Sequence, residues 1–251
     1  MKKQIFSLIL LSLLINIHQG LIAQVKKVTV VYEETFHIEV PEQFRAQMPQ
    51  NMPTKTENTK ILQIVDKESY FMPAPVKEDL TPTIDNQGQN NRGRGFMMRA
   101  AGGTDEIYTN LTDKKQLTKT NFFNRDFIIK EEYDKYKWRV VAAEQRDILG
   151  YTCMKAEYKD STGVVTVWFT PQIPIQHGPA GLHSLPGLIL AASVGENKIL
   201  LAKQINMNDE TITIKPIEEK KDAMTRPAYN KMMKERMAEM QSMWQSRRPG
   251  G

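Results

Sequence analysis

The sequence predicts a mainly β, α+β fold: a single curved antiparallel sheet, or a partly open barrel, followed by a C-terminal amphipathic helix. Three observations predict it. Short segments of alternating apolar and polar residues recur along the chain with turn residues between them. No long helical segment separates these strands, which excludes a βαβ plan and its parallel sheet. Only the last segment changes to a spacing of three and four residues.

The first 23 residues read as a secretory signal peptide. Residues 1–3 are a short basic start, 5–15 are an apolar run broken by serines, and Ala23 is a small residue at a cleavage point. The eleven residues of this run rise only about 16 Å as a helix, against the roughly 30 Å of a bilayer core, so this is not a membrane span. No Cys stands beside the cut, so a lipid anchor is not expected. The expectation is an exported protein, periplasmic or secreted, with residues 24–251 as one β-rich domain. Lys2 and Lys3 belong to the leader, which lowers the weight of the formal +5 charge. With 40% hydrophobic and 25% charged residues, the composition is that of a globular protein rather than a polytopic membrane protein.

Residues 28–40 carry the clearest strand signal. Val28, Val30, Tyr32, Phe36, Ile38 and Val40 share one parity, with Glu34 the exception among them, while His37 falls on the polar face. Residues 41–59, with Pro41, Pro49 and Pro53, read as a loop. Residues 60–65 and 68–72 flank Asp66-Lys67 as a hairpin. From about 73 to 105 the composition turns polar and rich in Pro, Gly and Asn, which predicts a flexible insertion. Its single Arg-Gly-Arg-Gly tract is too little to argue for nucleic acid, and no nucleic-acid partner is expected.

Strand signals resume at 106–111, 117–123, 127–130, 137–143, 150–158, 164–170, 187–194, 199–207 and 210–216. Cys153 alternates into the core side of its strand; as the chain's one cysteine it forms no internal disulfide, so an apolar core must carry the stability. The helix is predicted over about 225–246. Tyr229, Met232, Met233, Met237, Met240, Met243 and Trp244 follow helical spacing, with Thr225 as the cap and Pro227 in the first turn. Its methionines have three readings: packing on the sheet, meeting a partner or membrane surface, or holding Cu(I) through thioethers.

No catalytic constellation is visible in sequence. There is no HExxH, no Cys/His cluster, no GxSxG elbow, no P-loop and no dinucleotide fingerprint, and no cofactor is expected. Ser184 beside His183 does not read as a catalytic pair, since neighbours on an extended chain point apart. The most unusual stretch is 171–186; counted together with Gly187, it places four prolines and three glycines before an apolar strand. There Pro186-Gly187 predicts a type II turn with Gly187 at positive φ. His177, His183 and Trp168 are the candidates for lining a ligand mouth at this loop.

The residues Trp168 to Ile175 (Trp-Phe-Thr-Pro-Gln-Ile-Pro-Ile), Gly178-Pro179 and His183-Ser184-Leu185-Pro186-Gly187-Leu188-Ile189 resemble the signature of the GLPGLI proteins, exported bacterial proteins of unknown function. Upstream, Trp138 and the run from Gly150-Tyr151 through Cys153 to Lys155-Ala156 are similar to the same family. Ser184 stands where the naming motif has its first Gly. The resemblance implies an envelope role near outer-membrane transport components. The sheet-plus-helix pattern also resembles the periplasmic lipoprotein-carrier fold. The expectation is therefore a non-enzymatic binding or carrier module for an apolar ligand or an envelope partner. The alternatives are an envelope hydrolase with its site near His183, and Cu(I) handling by the C-terminal helix.

Overall fold

The computed structural model describes residues 26–37, 54–75, 105–122, 125–160 and 163–246. The predicted signal peptide, the Arg-Gly tract and nearly all of the predicted insertion lie outside these residues. The strands are β1 (Lys27–His37), β2 (Lys55–Val65), β3 (Glu68–Pro73), β4 (Glu106–Asn110), β5 (Lys115–Phe122), β6 (Arg125–Lys130), β7 (Arg139–Ile148), β8 (Tyr151–Asp160), β9 (Gly163–Thr170), β10 (Leu188–Val194), β11 (Lys198–Met207) and β12 (Met224–Thr225). One helix, α1 (Arg226–Ser246), follows.

All twelve strands form one sheet in the order β12-β6-β5-β4-β3-β2-β1-β11-β10-β9-β8-β7. Every pairing is antiparallel except the short β12–β6 edge. The sheet is not closed into a barrel, but its connections force it to curl. β6 and β7 are ten positions apart in that order, a distance of about 48 Å across a flat sheet. The chain joins them through residues 131–138 alone, and those steps span at most about 32 Å when fully extended. The two ends of the sheet must therefore bend toward each other.

Cross-strand register assigns the two faces. Val30, Leu62, Phe71, Ile107, Thr118 and Ile129 lie in one row. On this inner face sits the main core, where Val30, Leu62, Ile64, Val167, Phe169 and Leu188 to Leu190 are shut off from solvent. The loop between β9 and β10 folds into the same face, adding Ile173, Ile175, Leu182 and Leu185 to the core. Each such aliphatic side chain contributes about 1.5–3 kcal/mol of burial. The outer face carries the row Gln63, Tyr70, Tyr108, Leu117 and Lys130, with a smaller core of Tyr108, Leu117, Ile128 and Ile217.

Three expectations change here. β2 begins at Lys55, five residues before its sequence signal, because all eleven of its residues find partners along β1. Residues 210–216 are not a strand: Ile212 is buried and Ile214 packs on the outer-face core, but the segment has no assigned ladder. Apolar alternation there reports anchoring side chains, which an irregular segment can also supply. Finally, of the three readings of the helix, packing on the sheet is seen among the described side chains chiefly at the start of α1. The helix docks by its first turn, where Tyr229 is buried edge-to-face on Phe127 at 5.6 Å and Arg226 pairs with Glu131. Met232 and Met233 are half-buried, whereas Met237 and Met243 are exposed. No helix among the described residues is long and apolar enough to cross a membrane.

Glu34, the odd residue of the β1 pattern, is explained by its partners. It is fully buried on the inner face, with Lys198 Nζ at 2.8 Å and Lys60 Nζ at 3.5 Å. Burial drives the Lys60 pKa down and the Glu34 carboxylate opposes that. A buried charge is tolerated only when paired, so Glu34 and Lys60 belong together on adjacent strands.

Candidate functional site

The loop 171–187 is held as a plug against the inner face. Its carbonyls at Ile173 and His177 accept the amides of Leu188 (2.9 Å) and Ile189 (3.1 Å), so it feeds directly into β10. Its 3-10 turn, Pro179–Gly181, reaches across to β5, where Gln116 Nε2 donates to Gly181 O at 2.9 Å. Three glycines make this fit possible. A Cβ on Gly187 would lie 2.1 Å from Thr170 O, and one on Gly178 would lie 2.6 Å from Ile189 Cβ. Gly181 takes φ +73°.

The turn chemistry differs from the sequence expectation. Gly187 is not among the residues at positive φ; its requirement is space against the Thr170 backbone. The left-handed conformation falls on Ser184, at φ +71°. L-residues adopt it at a cost of roughly 1–2 kcal/mol. A motif with Gly at that position meets it without strain, whereas this chain carries a side chain there.

His177 and His183 form an antiparallel bridge inside the loop, and both are buried. Burial and the neighbouring His183 push the His177 pKa down to about 3. Tyr133 stacks on the His183 ring at 4.4 Å and Tyr136 meets its edge at 4.8 Å. Trp138 Nε1 donates to the His183 carbonyl at 2.8 Å. These three aromatics come from the 131–138 connection, so the strap that bridges the sheet's ends also clamps the plug.

Ser184 corrects a second expectation. It is exposed, yet its Oγ lies 2.6 Å from His183 Nδ1. The positive φ breaks the extended geometry that would have parted the two side chains. Trp168 does not join this group. It lies on the strand face opposite Val167 and Phe169, buried beneath the Arg146 guanidinium at 4.3 Å. Sequence singled out His177, His183 and Trp168 as one mouth; the structure unites the two histidines and separates the tryptophan. Cys153 is buried, with its thiol pKa pushed up to about 11 by desolvation, as suits a packing residue.

A second site lies on the outer face and had no sequence signal of its own. Here an open cleft of about 540 Å³ runs between strands β2–β6 and the irregular segment 213–220. Its floor includes Met72, Ile128, Pro216 and Ile217, and its polar groups include Gln63, Tyr70, Glu106, Lys119 and Asp126. Tyr70 donates its hydroxyl to Glu106 Oε2, and Lys119 Nζ stands 3.3 Å from Glu106 Oε1. Desolvation and Glu106 both raise the Tyr70 pKa, which keeps the phenol a donor. Asn121 Nδ2 donates to Asp126 at 2.7 Å. The wall is pinned by Glu219, which pairs with Lys130 and, at 2.8 Å, with Lys115; these hydrogen bonds bring its pKa down to about 2.

The family model described as N-glycanase peptide, N-terminal domain, matches residues 104–229, half of the chain. The chain belongs to this family. The matched span of the N-glycanase N-terminal domain family runs from β4 through the first turn of α1. It therefore contains the whole His183–Ser184 cluster and the β4–β6 and 213–220 sides of the cleft, but not Gln63, Tyr70 and Met72. Two solved structures of PNGF-II, in space groups P21 and C2, are 14% identical to the chain with TM-scores of 0.47, covering 82% of it. The chain spans about a third of the length of these structures, 33% and 32%. No curated protein matches it.

Proposed function

We propose that this chain is an exported, GLPGLI-type recognition module for glycoconjugates, binding the carbohydrate in the outer-face cleft. Export rests on the signal-like segment 1–23. The observation that carries the carbohydrate reading is the lining of the cleft. An apolar floor of Met72, Ile128, Pro216 and Ile217 lies beside hydrogen-bonding groups whose positions are set by one another. Sugars present the same two chemistries, C–H faces and hydroxyls, and fixed polar groups bind them without a large ordering cost. The family's description, an N-terminal domain of an N-glycanase, supports the choice of glycoconjugate.

An apolar-ligand carrier would need an empty inner face, but Ile173, Ile175, Leu182 and Leu185 of the chain's own loop occupy that position. Binding is thereby moved from the inner face to the outer one. The envelope partner remains part of the proposal, as the source of the glycoconjugate presented to the cleft. The test is calorimetric titration of the purified protein with free N-linked oligosaccharides. Wild type should bind, and Tyr70→Ala and Glu106→Gln should each weaken binding at least tenfold. Equal affinity for both variants and wild type would remove the cleft from the account.

A further inference from the structure

We propose that Ser184 is a nucleophilic hydroxyl activated by His183, able to take an acyl group from an ester; this is independent of carbohydrate binding at the cleft. Four observations converge on it. Ser184 carries the one hydroxyl of the loop and is exposed between two buried neighbours, His183 and Leu185. Its Oγ is 2.6 Å from His183 Nδ1, within the reach of a nucleophile and its base. It holds a left-handed φ of +71° although a glycine would relieve the strain. Strain of this kind, kept where the surrounding fold enforces it, is concentrated at reactive sites. Last, His183 is preorganised: Tyr133 stacks on its ring, Tyr136 closes its edge and Trp138 fixes its carbonyl.

The chemistry balances without a cofactor. With its proton on Nε2, His183 receives the Ser184 proton at Nδ1 as Oγ bonds to the ester carbonyl carbon. The C–O bond to the leaving alcohol then breaks, and the alcohol departs with that proton. Water, deprotonated by the same nitrogen, attacks the acyl-serine; the carboxylic acid leaves and Ser184 regains its proton. Tyr133 and Tyr136, packed on the His183 ring, make the surroundings of the base apolar, which favours a hydrophobic acyl group.

The test is labelling of the full chain with an alkyl fluorophosphonate, read by intact mass and peptide mapping. One phosphonyl adduct should form, on Ser184, and Ser184→Ala should abolish it. His183→Gln should label at least 100-fold more slowly. Because His183 is buried and its variant can misfold, the wild-type rate is also followed against pH. A rate that rises through one ionisation to a plateau supports an imidazole base. A rate that climbs continuously with hydroxide, or an adduct absent from Ser184 under conditions that label a serine hydrolase, overturns the proposal.

Discussion

Gly187 and Ser184 divide the work of one turn, and they do so in the opposite way to their usual chemistry. The glycine is needed for closeness, since a Cβ would meet the Thr170 backbone at 2.1 Å, while the serine bears the positive φ. Gly187→Ala should therefore destabilise the protein by roughly 3 kcal/mol or more, read by urea denaturation, because rigid backbone and not a side chain must yield. His177 makes a second residue-scale prediction. Its folded pKa is near 3 against an unfolded value of about 6.5. The unfolded chain thus binds the proton first, and this contribution to stability is complete above about pH 6.5 and lost as the pH falls toward 3. The slope is about 1.4 kcal/mol per pH unit in that window. Denaturation curves at pH 7, 5 and 4 should show it, and His177→Leu should flatten the slope by that amount whatever its effect on absolute stability. At this scale the sequence showed which loop mattered, because four prolines and three glycines in the seventeen residues 171–187 are a local signal. It did not show which residue carried the torsion, because that depends on how close β9 comes to β10.

At the scale of elements, alternation was legible wherever one side of a strand is buried. β1 alternates buried and half-buried residues along most of its length, and its sequence pattern says so. The N-terminal half of β2 was invisible, since Lys55 to Thr59 are polar and are placed by pairing with β1 rather than by burial. Residues 210–216 misled in the other direction. Ile212, Ile214 and the nearby Ile217 anchor an irregular wall, and period two alone cannot tell anchors from a strand. The helix was legible in position, 226–246, but not in docking, because its contacts concentrate at Arg226 and Tyr229. Removing residues 234–251 should accordingly lower thermal stability little, by less than about 1 kcal/mol. Tyr229→Ala should cost about 3 kcal/mol by emptying a buried aromatic site. Thermal melts of the two variants check the contrast; a large loss on truncation would mean that the distal helix packs on the protein.

For the whole molecule, the governing feature is a long sheet bent by a short connection. Residues 131–138 join strands at opposite ends of the order, so the curl follows from chain length, and the inner face it creates is filled by the 171–187 plug. The outer face is left with the cleft, whose residues come from five strands and a distant segment. That dispersal is why no motif announced it: Gln63 and Lys220 share a site through folding and have no spacing in common. The central claim, carbohydrate recognition on the outer face, is tested most directly by methyl NMR of the full chain titrated with N-linked oligosaccharide. Shifts are predicted at Met72, Ile128 and Ile217, with Leu185 and Ile189 of the inner core unmoved. Shifts confined to Leu185 and Ile189, or none at saturating oligosaccharide, would contradict it.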